Sequence, residues 1–287
     1  MATNSTALPK TPTTTRIRRR FEELRDRGEM GLLAFLSAGD PSLAATESFV
    51  LALNAAGADV VELGVPFSDP VADGPAIQRS SERALRAGAT LSGVLDLVAT
   101  IRRRSDVPLV LFSYYNPVLQ MGIQRFAQRA ADVGADGVLI TDLTPEEAGD
   151  YRRIVQAHGL DTIFLAAPTS TDERLERIAG VSSGFLYVIS RTGVTGTRES
   201  LPEDLPALIR RVRRASRLPI AVGFGISLPG QVSILGGLAD AAVVGSALVQ
   251  EIEQAASVDA AREALGARVR ALKHASKTGI SRREPGA

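Results

Sequence analysis

Short runs of apolar, largely β-branched residues recur along the chain, separated by longer amphipathic stretches. They fall at 32–37, 59–63, 109–113, 137–141, 162–166, 185–190, 219–223 and 241–244. Each run is continuously apolar rather than alternating, which is the pattern of parallel strands buried on both faces. Between them the spacing turns helical. Leu43, Phe49, Val50 and Leu53 form the inward stripe of a helix that Asp40-Pro41 is expected to cap, with Gly57 past its end. Thr144-Pro145-Glu146-Glu147 has the form of a capping box opening a second helix, and Ser227-Leu228-Pro229 opens a third. Ile17, Phe21 and Leu24 give helical spacing ahead of the first strand. Eight strand–helix alternations predict an α/β fold, a single (β/α)8 TIM barrel with an extra N-terminal helix. An open doubly wound sheet is the alternative.

On this reading residues 16–275 form the barrel, and 1–15 and 276–287 are disordered tails. Two connections are longer than the rest, 64–75 after the second strand and 191–201 after the sixth. In a barrel both lie at the C-terminal face, where active sites are built.

Composition narrows the chemistry. The 287 residues suit one barrel, and 45% hydrophobic content supports a large core. A net charge of +1 gives no reason to expect nucleic acid. No apolar run approaches the roughly 20 residues of a membrane helix. The acid-free, Thr-rich start with Arg16, Arg18, Arg19 and Arg20 has the look of a transit peptide, but it also reads as a tail leading into an amphipathic helix. With no secretory apolar core, a cytoplasmic location is expected. The absence of cysteine removes disulfides, thiolate metal sites and a Cys nucleophile together. Lysine occurs at Lys10, Lys273 and Lys277, and histidine at His158 and His274. A Schiff-base lysine, a metal site and a histidine base are therefore not expected, and acid–base work falls to Asp, Glu or Tyr.

Three glycine-bearing segments follow the last three strands: Gly193-Val194-Thr195-Gly196, Gly223-Phe224-Gly225-Ile226-Ser227 and Gly245-Ser246. Glycine lets backbone N–H groups approach phosphate oxygens, and a helix N-terminus adds partial positive charge. Together they imply a phosphorylated small molecule. Any one of them alone would read equally well as a turn.

Glu62 is a carboxylate late in an otherwise apolar strand, which directs it toward the barrel mouth, although a structural Glu paired with an Arg has the same signature. Burial there would raise its pKa toward neutrality. The loop that follows, Val65 to Pro75, carries Asp69 and Asp73 among prolines; both also fit turn chemistry. Tyr187, mid-strand, places a phenol either in the core or inward toward a reacting group.

The string Glu62-Leu63-Gly64-Val65-Pro66-Phe67-Ser68-Asp69-Pro70-Val71-Ala72-Asp73-Gly74-Pro75 closely resembles the signature of tryptophan synthase α subunits. Ser190 to Gly196, Gly223 to Ser227, Ala34-Phe35 with Gly39-Asp40-Pro41, Tyr114-Tyr115-Asn116-Pro117 and Ala167-Pro168-Thr169 resemble that family's loops as well. The resemblance runs from about residue 16 to about residue 275. It implies retro-aldol cleavage of indole-3-glycerol phosphate to indole and glyceraldehyde-3-phosphate. Glu62 matches the proton-shuttling glutamate, Asp73 the aspartate at the indole N–H, and Tyr187 an active-site tyrosine. Thr195, Gly196, Gly225, Gly245 and Ser246 fall at the phosphate loops. Phe35, Phe112, Leu139, Leu165 and Phe224 fall where the indole pocket is lined. Asp69 falls on a loop facing the partner. The resemblance also implies an α2β2 assembly with a β subunit that carries pyridoxal phosphate, with no cofactor in this chain. Thr144 departs from the family, which usually has proline there, close to the subunit contact. Other phosphosugar barrel enzymes, a stand-alone indole-releasing lyase and a non-catalytic regulatory barrel are the alternatives.

Overall fold

The computed structural model describes residues 15–190, 201–223 and 225–278. Its strands are β1 (Gly31–Ser37), β2 (Val60–Gly64), β3 (Leu109–Ser113), β4 (Gly137–Ile140), β5 (Asp161–Ile163), β6 (Leu165–Ala166), β7 (Leu186–Ile189), β8 (Ile220–Gly223) and β9 (Ala241–Val244). All pair in parallel, in the order β5-β4-β3-β2-β1-β9-β8-β7-β6. The eight predicted strands are all present. The fifth is parted at Phe164 into β5, which pairs with β4, and β6, which pairs with β7. One stretch of chain therefore joins both edges of the sheet and closes the barrel.

The helices are α1 (Arg16–Asp26), α2 (Leu43–Ala55), α3 (Pro75–Arg86), α4 (Leu91–Arg102), α5 (Tyr115–Met121), α6 (Ile123–Asp132), α7 (Gly149–Ala157), α8 (Asp172–Val181), α9 (Leu205–Ala215), α10 (Pro229–Leu235), α11 (Ser246–Gln254) and α12 (Val258–Thr278). Among the described residues no single helix is long and apolar enough to cross a membrane.

The continuous apolarity of the strands serves two separate cores. Leu32, Leu36, Leu63, Leu111 and Val138 point outward into the layer beneath the helices. Leu33, Phe35, Val60, Val110, Phe112, Leu139 and Tyr187 point inward and fill the barrel. Helix α1 closes the lower end. Its stripe of Ile17, Phe21 and Leu24 is buried with the inner core, and the Phe21 ring lies 5.7 Å from that of Phe185. Burying three such side chains contributes about 1.5–3 kcal/mol each.

The polar face of α1 meets acids at the strand entrances. Arg16 pairs with Asp136 at 3.1 Å, Arg20 approaches Asp59 at 3.9 Å, and the Thr15 hydroxyl donates to Asp161. Asp59, Asp136 and Asp240 also each accept a backbone N–H of a neighbouring strand, from Leu32, Leu109 and Ile220 at 2.8 Å. These carboxylates, Asp59 and Asp136 buried and Asp240 half-buried, satisfy the first donors of the sheet. The C-terminal mouth, where the strands end in the longer loops, is the end where a barrel binds its ligand.

Two expected helix starts differ from the structure. Ser42, not Asp40, caps α2, its hydroxyl accepting from Ala45 N at 3.1 Å. Asp40 is turned inward, where Arg83 claims both its oxygens. Helix α7 begins at Gly149 rather than beside Thr144. The Thr144 hydroxyl donates to the Glu147 carboxylate at 3.1 Å, so it caps no backbone group, and the segment makes a single turn instead.

Candidate active site

Strand parity decides where the functional side chains point. Val60 faces the barrel interior, so Glu62, two residues on, does too. It lies in register with Phe35 on one side and Val110 on the other. Its side chain is completely buried, and neither carboxylate oxygen has a hydrogen-bond partner among the described residues. Among the described residues no Arg pairs with it. Desolvation pushes the carboxyl up from 4.5 to about 8.

Asp73 arrives from the β2–α3 loop, which is tied down at several points. Val65 N donates to Phe112 O at 2.8 Å, and Phe67 N donates to the Ser81 hydroxyl at 3.0 Å. Asp73 N closes a turn onto Pro70 O at 3.0 Å, and Pro75 starts α3 directly afterwards. Tyr114, buried at the end of β3, holds the loop from below. Its ring stacks on Phe67 at 5.0 Å, and its hydroxyl accepts from Ala72 N at 2.9 Å and bonds the Asp73 carboxylate. Desolvation raises Asp73 to about 6, while the Tyr114 hydrogen bond pulls in the opposite direction.

Tyr187 projects inward from β7. Burial first, then the nearby charges of Glu62 and Asp73, keep its phenol neutral well above the usual range. It lies across Gly223 of β8: a Cβ there would come within 2.2 Å of the Tyr187 hydroxyl. Gly64 does the same for Phe35, whose Cζ would lie 2.5 Å from an added Cβ. Two glycines thus admit the two rings that shape the mouth.

The result is a cleft open to solvent. Phe35, Phe112, Ile77 and Val243 make its apolar middle, with the Phe35 and Phe112 rings edge-to-face at 5.2 Å. Asp73, Gly74 and Tyr187 border it, as do Gly225, Ser227, Gly245, Ser246 and Ala247. The last three form the start of α11, where Leu248 N and Val249 N turn back to Gly245 O. The preceding N–H groups of the first turn face outward without intrahelical acceptors, the usual arrangement for holding an anion. A flat apolar slot with a carboxylate at one side and an anion-binding helix end suits a planar heteroaromatic carrying a phosphorylated tail.

Of the residues singled out from sequence, Phe35, Asp73, Phe112, Tyr187, Gly225, Gly245 and Ser246 border this cleft. Glu62 lies beside it inside the barrel. Leu139 is deeper in the inner core, and Leu165 is half-buried at the barrel wall, paired with Tyr187; neither borders the cleft. Asp69 is exposed on the loop, next to the 87%-exposed Val71. Thr195, Gly196 and Phe224 lie outside the described residues. Sequence reasoning missed Ile77 and Tyr114. Tyr114 carried a usable signal, a polar aromatic at the C-terminal end of a barrel strand. Ile77 follows Pro75 and Ala76 in the first turn of α3, just ahead of the polar run from Gln78 to Arg83. Among the described residues no cluster of three or more His, Asp or Glu is placed to hold a metal ion.

Comparison with known proteins places this geometry. The family model for the tryptophan synthase alpha chain matches residues 21–277. The chain is 53% identical over 259 residues to the tryptophan synthase alpha chain of Solibacter usitatus, covering 90% of this chain and 97% of that one. It is 48% identical to that of Geobacter sulfurreducens, covering 86% and 94%. Among solved structures, tryptophan synthase subunit alpha from Legionella pneumophila superposes with a TM-score of 0.84 at 37% identity, covering 92% of this chain and 98% of that one. A chain of Mycobacterium tuberculosis tryptophan synthase gives 0.84 at 34%, covering 92% and 99%. The chain belongs to the tryptophan synthase alpha chain family, carbon–carbon lyases of tryptophan biosynthesis that cleave indole-3-glycerol phosphate.

Proposed function

We propose that Glu62 is the proton carrier and Asp73 the electrostatic anchor for cleavage of indole-3-glycerol phosphate in this chain. The observation that carries this reading is Glu62 itself: a buried carboxyl with no hydrogen-bond partner among the described residues, beside a cleft with an apolar middle and a helix start at its edge. An unsatisfied buried polar group costs stability, about 1–3 kcal/mol or more, and such a cost belongs at a functional site. Near neutral pH the Glu62 carboxyl retains its proton. A turn of the side chain toward the cleft lets it protonate indole C3. The resulting carboxylate takes the proton of the adjacent side-chain hydroxyl. The C–C bond then breaks, its electrons return to the ring, and the aldehyde forms as Glu62 regains its starting state. Asp73 as a carboxylate stabilises the positive charge that develops at the ring nitrogen. Tyr187 stays a neutral phenol and holds polar contacts at the mouth. Phe35 and Phe112 grip the ring, and the start of α11 with Gly245 and Ser246 grips the phosphate.

The two carboxyl groups set the working pH. Asp73 must be ionised, so activity rises as pH passes about 6; Glu62 must hold its proton, so activity falls as pH passes about 8. The expected kcat/KM profile is a bell with limbs near those values, measured by indole release. A profile flat from pH 5 to 9 would contradict these roles.

The phosphate grip has its own test. A Cβ at Gly245 would lie 3.3 Å from Phe35 Cβ, so Gly245→Val crowds the ring and covers the helix end. KM for the phosphorylated substrate is expected to rise tenfold or more, on the order of the ~1.5–3 kcal/mol of charge-assisted hydrogen bonds lost. Unchanged KM and unchanged inhibition by glycerol phosphate would move the phosphate elsewhere.

We further propose a β subunit as partner in an α2β2 assembly in the cytoplasm, with pyridoxal phosphate in that subunit and none in this chain. Exposed Asp69 and Val71 on the β2–α3 loop support the docking face. Indole release with and without the cognate β subunit tests it, a high basal rate unmoved by β favouring a stand-alone lyase.

A further inference from the structure

Helices α3 and α11 both begin at the cleft, α3 directly after Asp73 and Gly74, α11 directly after Gly245. They follow β2 and β9, which are not neighbours in the sheet; β1 lies between them. No strand ladder therefore ties one helix directly to the other. Three charged side chains do so, and a fourth, Asp40, anchors them to the top of β1. Arg79 meets Glu253 with two parallel bonds, Nε to Oε1 and Nη2 to Oε2, both 2.7 Å. Arg83 meets Asp40 in the same way, Nε to Oδ1 at 2.9 Å and Nη2 to Oδ2 at 2.7 Å. Its remaining nitrogen, Nη1, donates to Glu253 Oε1 at 2.8 Å. Arg79 and Arg83, four residues apart, share one face of α3. Asp40 belongs to the connection between β1 and α2 and is almost wholly buried.

The chain of contacts thus runs from α11 through α3 to the top of β1. Two bidentate forks joined at Arg83 fix orientation as well as distance, because guanidinium and carboxylate planes must coincide. Glu253 lies eight residues beyond Gly245, about 12 Å along the helix axis, so α11 transmits any displacement there to its first turn. None of the four side chains borders the cleft. The hydrogen bonds from Arg79 and the two positive charges hold the Glu253 carboxyl down at about 2, so this carboxylate stays charged throughout the working pH range.

We infer that the Arg79–Glu253–Arg83–Asp40 chain is a positioning device that sets the separation between the anion-binding start of α11 and the Asp73 end of the cleft. It rests on the proposed assignment of phosphate to α11. Binding a remote phosphate aids the chemical step only when the grip and the reacting centre stand at the correct distance. Arg79, Arg83, Glu253 and Asp40 are positioning residues in this scheme and touch no reacting atom.

The test uses the condensation direction, indole with glyceraldehyde-3-phosphate or with unphosphorylated glyceraldehyde. Glu253→Ala is the informative variant, because Arg83 keeps its fork on buried Asp40 and the fold survives. With the phosphorylated aldehyde, kcat is expected to fall on the order of tenfold while its KM changes less than about threefold. With the unphosphorylated aldehyde the rate stays within about twofold of wild type, since there is no remote grip to misplace. Glu253→Gln, which keeps an acceptor for the arginines, restores most of the loss. Equal losses with both aldehydes, or a lower Tm with unchanged kcat, would make the chain purely structural and overturn the inference. Wild type reads the underlying assignment: no preference for the phosphorylated aldehyde would remove the phosphate site and this inference with it. A preference that survives Glu253→Ala intact would remove the inference alone.

Discussion

Glu62→Gln is expected to fold and to lose a factor of roughly 10²–10⁴ in kcat. The amide matches the carboxyl in shape but cannot give up and regain a proton, so the loss falls on the chemical step rather than on binding. The same substitution has a second, independent readout. In the folded chain the carboxyl titrates near 8 rather than near 4.5, because burial disfavours its charged form. Between those two pH values the unfolded chain has released a proton that the folded chain still holds. Stability must then fall as pH rises through that window. At about 1.4 kcal/mol per tenfold change in proton affinity, the whole penalty reaches about 5 kcal/mol above pH 8. Glu62→Gln removes it, so the variant should gain on wild type as pH rises and show little such gain below pH 4.5. Urea midpoints of both proteins at pH 5 and pH 9 measure this. Parallel pH dependences would mean that Glu62 is hydrated, and kcat above a tenth of wild type would remove it from the mechanism.

Asp73→Asn is expected to lower kcat on the order of 10²–10³, the size seen when a group facing developing charge is lost from a water-excluded site. Asparagine retains an oxygen that can accept from the Tyr114 hydroxyl, so the loop should keep its course and the change should isolate the charge. Tyr114→Phe is the complementary variant. The Tyr114 hydrogen bond lowers the Asp73 pKa, and without it burial acts unopposed. The acid limb of the kcat/KM profile should move upward from about 6, while the alkaline limb, set by Glu62, stays in place. Wild-type kcat in Asp73→Asn would assign the loop a structural role only, and an acid limb unmoved in Tyr114→Phe would break the link between the two residues.

The sequence by itself determined the barrel, because eight continuously apolar runs at regular intervals can be buried on both faces in few other ways. It determined the amphipathic helix ahead of the first strand as well, from the spacing of Ile17, Phe21 and Leu24; that this helix enters the inner core and plugs the barrel was decided by the structure. The sequence pointed Glu62 toward the mouth, as a carboxylate late in an otherwise apolar strand, whereas the inward face it shares with Val60 was decided by the structure. Local signals did worse wherever a side chain had a distant competitor. Asp40 resembles a helix cap, but Arg83, forty-three positions away, offers both of its oxygens a charged fork. Thr144 resembles the start of a capping box, but its hydroxyl goes to Glu147 and α7 waits until Gly149. Whether Glu62 was paired could not be read from any window of sequence, because the arginine that would have neutralised it could have come from any strand; among the described residues none reaches it. Tyr114 was legible as a residue and not as a function, since its contacts to Phe67, Ala72 and Asp73 exist only once the loop after β2 folds back over the end of β3. Periodicity reports which face a residue occupies; only the tertiary structure decides which groups from other elements meet it there.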